Sequence, residues 1–554
     1  MDYTILIGGA AGQGIDTAVG LLERMIKRHG YYVFTYKNYM SRVRGGHNFM
    51  QIRFSDMPVT SYSKELDMIY AFNEESVQFH EDRLKKDGVV IVDNNIAESN
   101  LNYTHLPLVE TAKNLGNDKV SSSVGLGAII NYFGILLDTG IKVIKEELAP
   151  KISEVNKQAL EKGYELLERK YNMKKREDSH ILIDGNQALA LGAIAAGCKY
   201  YCGYPMTPSS SVMTYIAKHA NEMGIVVDQI EDEVGALNMA LGASYAGVRA
   251  MTGSSGGGFA LMVEALSLAG IIETPIVVFN AQRAGPATGF ATRTEQADLR
   301  FMIHAGHGEF LRMVIALRSP EDAFYQTVRA FNLADKYQIP VLLMTEEYLT
   351  NYNMTHEPFD FSKITIERHI ASESDIPDER YKRYKFTENG ISPRLIPGQV
   401  KGQVVLVDSH EHNEYGNIDE DAENRVKMVD KRAIKIEELK EEIQEPWFIG
   451  SNNPENLIVC WGATYGAVKE TVDRLNEKDV SIGALIYGDI WPFPTNKINE
   501  LGKSAKRIID IEHNSTAQLE SLINEFTDIK CTDRILKYDG RALSGDEIIE
   551  RLCL

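Results

Sequence analysis

The run from Pro275 to Leu299, PIVVFNAQRAGPATGFATRTEQADL, decides how the chain is read. Its opening, Pro275-Ile-Val-Val-Phe-Asn, is short, apolar and β-branched, the pattern of an interior parallel strand buried on both faces. Open α/β sheets bind ligands beyond the carboxyl ends of their strands, and there the run places Arg283, Gly285, Thr288, Gly289 and Thr292. A guanidinium offers a planar fork of donors matched to a carboxylate, hydroxyls can complete the contact, and glycines let backbone come close. That combination suits a small oxyanion substrate. Standing alone, the same arginine would equally serve as an interface residue in a solvated loop.

The 554 residues exceed what one hydrophobic core organises, and length alone predicts about three to four domains. Hydrophobic content of 44% and charged content of 25% are those of a soluble globular protein. The net charge of −19 argues against a nucleic-acid partner and would repel an acidic electron carrier. Five cysteines, at 198, 202, 460, 531 and 553, make no CxxC pair, which removes the usual sequence evidence for an iron-sulfur cluster or structural zinc. An odd count without a framework fits a reducing compartment, and with neither a leader before Tyr3 nor a long apolar run the expectation is a cytoplasmic protein without a membrane span.

Strands alternate with helical periodicity through most of the chain, which predicts an α/β fold of three domains with mostly parallel sheets. Residues 1–172 form the first domain, with strands at Tyr3–Gly9, Tyr31–Tyr36 and Gly88–Asp93 and a charged helix near Ser153–Tyr171; 173–181 is a polar linker. Residues 182–349 form the second domain. The charged, Pro/Gly-rich stretch 350–453, strand-like at Gln403–Val407, reads as connecting and covering structure, and 454–554 as the last domain.

The N-terminal GGAAGQG invites a dinucleotide-binding reading, but its glycines at 9, 12 and 14 reverse the Rossmann spacing and the next strand ends in Tyr36-Lys37 rather than an acid for a ribose. A self-contained NAD(P)-dependent dehydrogenase is therefore the weaker alternative; a phosphate on the helix start after Gly14 stays open. Ser41-Arg-Val-Arg-Gly-Gly-His-Asn carries two arginines on a glycine turn and is read as docking structure in preference to a phosphate site. His410 and His412, in Asp408-Ser-His-Glu-His-Asn-Glu, lack a third ligand fixed by spacing, so no metal is assigned to this chain.

Three further segments accompany the opening run: Tyr204-Pro-Met-Thr-Pro-Ser-Ser-Ser, Glu231-Asp-Glu-Val-Gly-Ala-Leu-Asn-Met-Ala-Leu-Gly-Ala, and Met251-Thr-Gly-Ser-Ser-Gly-Gly-Gly-Phe. In this order and spacing they resemble the alpha subunit of 2-oxoacid:ferredoxin oxidoreductases, thiamine-diphosphate enzymes that turn 2-oxoacids and coenzyme A into acyl-CoA. The resemblance extends through Ser392-Pro-Arg, Asn424-Arg-Val and Trp491-Pro-Phe-Pro, and residues 1–172 resemble that family's gamma subunit. It implies a gamma-like domain, a pyrimidine-binding domain and a transketolase C-terminal-like domain whose role is mainly structural.

The resemblance also implies roles. Glu233 takes the position of the acid that exchanges a proton with the aminopyrimidine, with Glu231 and Asp232 its nearest competitors; without the resemblance, an acid in a first helical turn would be a surface residue complementing the helix dipole. Tyr204, Pro205 and Met206, with Ser255 and Gly256 in a flexible turn, border the cofactor, and Thr207 faces the substrate beside Arg283, Thr288 and Thr292. Read locally, Thr207-Pro208-Ser209 is also a helix start with Thr207 as N-cap. No GDG followed downstream by an Asn pair is present, so the diphosphate half of the site, Mg2+ and the iron-sulfur cluster are expected on a beta subunit. The expected assembly is a dimer of alpha-beta heterodimers that oxidatively decarboxylates a 2-oxoacid with coenzyme A as cosubstrate and passes electrons to ferredoxin. The sequence leaves open whether the substrate is 2-oxoglutarate, pyruvate or a branched 2-oxoacid. A non-catalytic scaffold paralogue is the other alternative, and it would have lost the acid, the arginine or the threonines.

Overall fold

The computed structural model describes residues 1–40, 45–97, 103–376 and 380–553. Its chain divides into two compact units. One holds Met1–Asp184, Asn351–Phe359 and Ser544–Cys553; the other holds Gly185–Thr350 and Asp360–Leu543. In chain order, strands β1–β7 are Asp2–Ala11, Tyr32–Asn38, Gly45–Ser55, Leu66–Ala71, Leu84–Asp93, Tyr103–Leu106 and Ile181–Ile183. Strands β8–β13 are Cys198–Gly203, Val226–Gln229, Arg249–Ser254, Ile276–Gln282, Met313–Ala316 and Pro340–Glu346, and β14 is Tyr352–His356. Strands β15–β20 are Trp447–Gly450, Asn456–Trp461, Ile482–Tyr487, Asp489–Trp491, Arg507–Glu512 and Asp533–Leu536.

The first unit is built on one sheet ordered β6-β5-β4-β1-β3-β2-β14-β7. Its β4, β5 and β6 run parallel to β1, while β3, β2, β14 and β7 are joined by antiparallel pairings, so this sheet is mixed rather than purely parallel. Part of the reason lies in the connections: β2 and β3 follow one another closely and need no crossover helix, and β3 then lies antiparallel between β2 and β1. Helices Ser121–Phe133 and Pro150–Tyr164 cover it and cross with backbones in contact, since a Cβ on Gly163 would lie 1.8 Å from the Val124 carbonyl oxygen. The strand β14 and the helix Gly545–Leu552 come from residues read as covering segment and last domain, yet belong to this unit. Asp546 fastens that helix by accepting the Lys64 backbone N–H at 2.8 Å.

The second unit holds two sheets, β18-β12-β13-β11-β10-β8-β9 and β15-β17-β16-β19-β20. Every residue of β10, β11 and β13 is buried, including the polar Arg249, Thr252 and Ser254 of β10; the apolar runs Ile276–Phe279 and Val341–Met344 are those of interior parallel strands. Both sheets are parallel apart from the edge strands β18 and β15, and the two share one hydrophobic core that includes Phe259, Leu342, Trp461 and Tyr487.

Buried ion pairs join Arg394, Lys431 and Lys435, which lie in the stretch read as covering structure, to the rest of this unit. Asp335 receives Arg249 at 2.9 Å, Arg394 of the Ser392-Pro-Arg motif at 2.7 Å and Arg368 at 3.2 Å. Glu273 receives Lys431 at 2.7 Å and also Lys435, both from the helix Ala422–Glu441. Burial alone would push the Glu273 carboxyl up, but Lys431, Lys435 and Arg383 outweigh it and hold the group far below the usual carboxylate range. Burial brings Lys431 down to about 8 against the pull of Glu273. Glu273→Gln leaves two buried ammonium groups facing a neutral amide. We expect a loss of about 3 kcal/mol or more in stability, measured as a lower urea midpoint by tryptophan fluorescence, the three tryptophans all lying in this unit; an unchanged midpoint would count against it.

Gln403–Val407 is not a strand. No neighbouring strand among the described residues pairs with it: the Gln403 N–H turns back to the Val400 carbonyl at 3.2 Å, the Tyr245 hydroxyl donates to the Val405 carbonyl at 2.7 Å, and the Gln403 side-chain Oε1 accepts the Tyr381 N–H at 2.7 Å.

Candidate functional site

Adjacent parallel strands β11, β10, β8 and β9 all end on one edge of the second unit's larger sheet. Four loops therefore meet there: Arg283 onward after β11, Ser255 after β10, Tyr204–Ser209 after β8, and Ile230–Asp232 after β9.

Of the three consecutive acids, only Glu233 is buried, at 2% exposure. Glu231 is exposed, and Asp232 is exposed and consumed as N-cap of the helix Glu233–Tyr245, accepting the Gly235 N–H at 2.7 Å. Asp232 holds φ 86, a conformation that strains a residue with a Cβ and persists only where the surroundings fix it. It turns the chain so that the next residue, Glu233, points inward. There Glu233 Oε1 accepts from the Ser254 hydroxyl at 3.1 Å, and its second oxygen has no partner among the described residues. The carboxylate lies over Gly258: a Cβ there would be 2.3 Å from Glu233 Oε1 and 2.1 Å from Ser254 Oγ.

Ser254-Ser-Gly-Gly-Gly is not a flexible turn. Ser254 ends β10, and Gly256–Gly258 form the first turn of a 16-residue helix, Gly256–Ile271. Packing requires small residues there, because carboxyl groups flank the turn on two sides. Gly258 faces Glu233, and a Cβ on Gly256 would lie 2.3 Å from Asp298 Oδ2. Asp298, which the motif reading missed, accepts from Asn280 Nδ2 at 2.9 Å while its own N–H donates to Gln282 Oε1 at 3.0 Å, and burial pushes its carboxyl up.

The loop after β8 closes over the same place. Ser255 Oγ donates to Met206 Sδ at 2.7 Å, and Ser254 Oγ lies 3.7 Å from the same sulfur. Met206 O in turn accepts both the N–H and the hydroxyl of Ser209, which makes Met206–Ser209 a turn of its own. The following helix consequently starts at Ser210 with Ser209 as N-cap, and Thr207 is not the cap. Tyr204 and Thr207 are half-buried and Pro205 is exposed. Arg283 Nη1 donates to the Thr207 carbonyl at 2.7 Å, joining the end of β11 to this loop; its other donors have no partner among the described residues. Thr288, exposed, and Thr292, half-buried, sit on the turn that follows Arg283. The structure thus brings together Glu233, Met206, Ser255, Gly256, Thr207 and Arg283, and adds Ser254, Gly258 and Asp298.

The helices Glu233–Tyr245 and Gly256–Ile271 are mostly apolar all round, with Asn238 and Glu264 their exposed polar residues. Val234, Met239 and Gly242 of the first, with Gly257, Ala260 and Leu261 of the second, are exposed. Leu261 is 53% exposed, although helices apolar all round belong in an interior.

Other motifs read from the sequence fall elsewhere. Gly12 and Gly14 have φ 94 and 83, and the Gln13 side chain folds back to accept the Ala10 N–H at 2.6 Å. Ser41-Arg-Val-Arg lies outside the described residues. His412 is fully buried with its ring 3.9 Å from that of Tyr384, while His410 contacts Asp408 at 2.7 Å. Among the described residues no cluster of three or more His, Cys, Asp or Glu is placed to hold a metal, and no helix is long and apolar enough to cross a membrane.

Three family models match in succession. Residues 4–166 match pyruvate ferredoxin/flavodoxin oxidoreductase, residues 191–431 the thiamine-diphosphate-binding domain of pyruvate flavodoxin/ferredoxin oxidoreductase, and residues 454–548 the pyruvate:ferredoxin oxidoreductase core domain II. The 2-oxoacid:ferredoxin oxidoreductase subunit alpha of Sulfolobus sp is 35% identical, over 100% of this chain and 96% of that protein. The 2-oxoglutarate synthase subunit KorA of Methanocaldococcus jannaschii is 31% identical, over 67% of this chain and 98% of its own length. Among solved structures, the 2-oxoglutarate:ferredoxin oxidoreductase from Magnetococcus marinus with 2-oxoglutarate, coenzyme A and succinyl-CoA bound superposes with a TM-score of 0.92 at 29% identity, covering 100% of this chain and 99% of that one.

Proposed function

Because the chain belongs to the alpha-subunit family of the 2-oxoacid:ferredoxin oxidoreductases, with a gamma-like domain on the same polypeptide, we propose that it acts on 2-oxoglutarate, forming succinyl-CoA and carbon dioxide with electrons passed to ferredoxin. The observation that carries the reading of the site is the meeting of one buried acid, Glu233, with a guanidinium that keeps donors to spare, Arg283, on the ligand-binding edge of a thiamine-diphosphate-binding domain. The choice of 2-oxoglutarate is supported by the likeness, along both chains, to an enzyme solved with that acid bound.

The residues present fit the pyrimidine half of thiamine diphosphate. A buried carboxylate has one oxygen fixed by Ser254 and the other left for proton exchange, and the neighbouring positions are glycine or serine. Tyr204, Pro205, Met206, Ser255 and Gly256 border that half. When bound, the cofactor supplies the nucleophilic carbon and the electron sink for decarboxylation. Glu233 holds and exchanges the proton, and Ser254 orients it. Arg283 grips the 2-oxoacid carboxylate with the planar fork left over from its bond to Thr207 O, with the hydroxyls of Thr207, Thr288 and Thr292 as further contacts.

The diphosphate, Mg2+ and iron-sulfur cluster belong to a beta subunit in this reading, and the assembly is a dimer of alpha-beta heterodimers. The exposed apolar faces of the two helices beside Glu233 support a partner that covers them. Expressed alone, the chain is expected to be colourless and inactive; stoichiometric iron in it would count against the division of labour. For the co-expressed complex, 2-oxoglutarate should give the highest kcat/KM among 2-oxoglutarate, pyruvate and branched 2-oxoacids in a coenzyme A-dependent assay with a low-potential acceptor. Preference for another acid would replace the substrate, and inactivity on all of them would sink the reading.

A further inference from the structure

Arg283 stands one residue beyond the end of β11, at the first stem of a loop whose tip, Gly285–Phe290, is exposed. The loop closes on itself: the Ala284 N–H donates to Arg293 O at 3.1 Å and the Phe290 N–H to Ala284 O at 2.9 Å. Both stems meet at Glu346, the last residue of β13 and 2% exposed. On the outgoing side Gln282 pairs with it across the sheet. On the returning side Thr294 Oγ1 donates to Glu346 Oε2 at 3.0 Å and Gln296 Nε2 to Oε1 at 2.8 Å.

Gln296 is wholly buried, and the C-terminal domain takes hold of it from several directions. Its Nε2 also donates to Trp461 O at 3.0 Å, its Oε1 accepts from Thr464 Oγ1 and the His513 N–H at 3.1 Å each, and its backbone N–H donates to His513 O at 2.7 Å. Asn514 Nδ2 donates to Gln296 O at 3.1 Å, and the Ala463 N–H reaches Glu346 Oε1 at 3.1 Å. Trp461, Thr464 and His513 lie at the carboxyl ends of β16 and β19, so the ligand-binding edge of the third sheet is spent on gripping this stem. Buried polar networks satisfied to this degree specify one geometry, and releasing one member leaves desolvated groups behind.

We propose that Gln296 and Glu346 are positioning residues for Arg283, through which the C-terminal domain sets the substrate-carboxylate anchor. This rests on the reading of Arg283 as that anchor. With the returning stem released, the guanidinium keeps only its bond to Thr207 O as a fixed point.

A double-mutant cycle on the complex with its beta subunit separates this role from plain domain glue. Gln296→Ala should lower kcat/KM for the 2-oxoacid by roughly 10- to 100-fold, the scale of a displaced substrate-binding group. The loss should fall mainly on KM, while hydrogen-deuterium exchange at the thiazolium carbon stays within about twofold, since Glu233 is held separately. Arg283→Ala alone should cost roughly 10- to 150-fold, the range of one charge-assisted contact. In that background, Gln296→Ala should cost less than about twofold more, since its only route of action is gone. Additive losses overturn the proposal while leaving Arg283 in its role, as does a folded Gln296→Ala with unchanged kcat/KM. An Arg283→Ala enzyme with normal kcat/KM overturns the anchor reading and this proposal with it. Should Gln296→Ala fail to assemble, Thr294→Val, which keeps the shape but removes the bond to Glu346 and the acceptor of the Tyr348 N–H, is read in the same cycle with the same criteria.

Discussion

Glu233→Gln should reduce turnover of the assembled enzyme by about 100-fold or more, the cost of removing a group that exchanges protons while leaving its shape in place. The amide can still accept from Ser254 Oγ at the Oε1 position, so packing and stability should change little. Exchange at the thiazolium carbon, followed by hydrogen-deuterium NMR in the complex, should fall in parallel with turnover. An unchanged exchange rate would move the role to another acid. The structure makes Asp232 and Glu231 poor substitutes, since one is a helix cap and both are exposed.

Gly258→Ala should come close to the same loss by a purely steric route. The added methyl would sit 2.3 Å from Glu233 Oε1 and 2.1 Å from Ser254 Oγ, distances no packed atom tolerates. Both are ends of side chains that can rotate away, whereas the first turn of the helix Gly256–Ile271 cannot. The chain therefore folds with Glu233 displaced, and exchange should drop by about 100-fold with the unfolding midpoint almost unaltered. Adding Glu233→Gln to Gly258→Ala should cost nothing further, because the two act through one proton. Normal exchange in Gly258→Ala would mean that the acid does not work from the position observed.

The legibility of this molecule in its sequence follows the range of its interactions. Strand β11 announces itself because an interior parallel strand has no polar face to confuse the pattern. Strands β3 and β14 do not: β3 lies in an antiparallel part of a mixed sheet, and β14 is five residues that acquire meaning only beside β2 and β7. The helix Ala422–Glu441 was hidden by its charge, since its lysines face Glu273, a partner more than a hundred residues earlier in the chain. At the site, Arg283 could be picked out because it stands at a strand end within a dense local motif, whereas Glu233 is singled out by the family resemblance, its local setting being that of an ordinary acid in a first helical turn. Ser254 and Gly258 stood in plain view in a serine-glycine run, yet only the packing distinguishes a helix start wedged between carboxyls from a loose turn. Gln296 carried no signal at all, because its partners lie at positions 346, 461, 464, 513 and 514.

The placement of β14 bears on how the chain comes to be made. In the first sheet β14 separates β2 from β7, and the helix Gly545–Leu552 belongs to the same unit. A polypeptide emerging from the ribosome amino end first presents β2 with an open edge until residue 356 has been synthesised, and the unit is finished only when the last helix arrives. An unpaired strand edge is a template for pairing with other chains. In this chain the edge of β2 is therefore covered by a strand made more than three hundred residues after it, and the N-terminal sheet is completed late in synthesis.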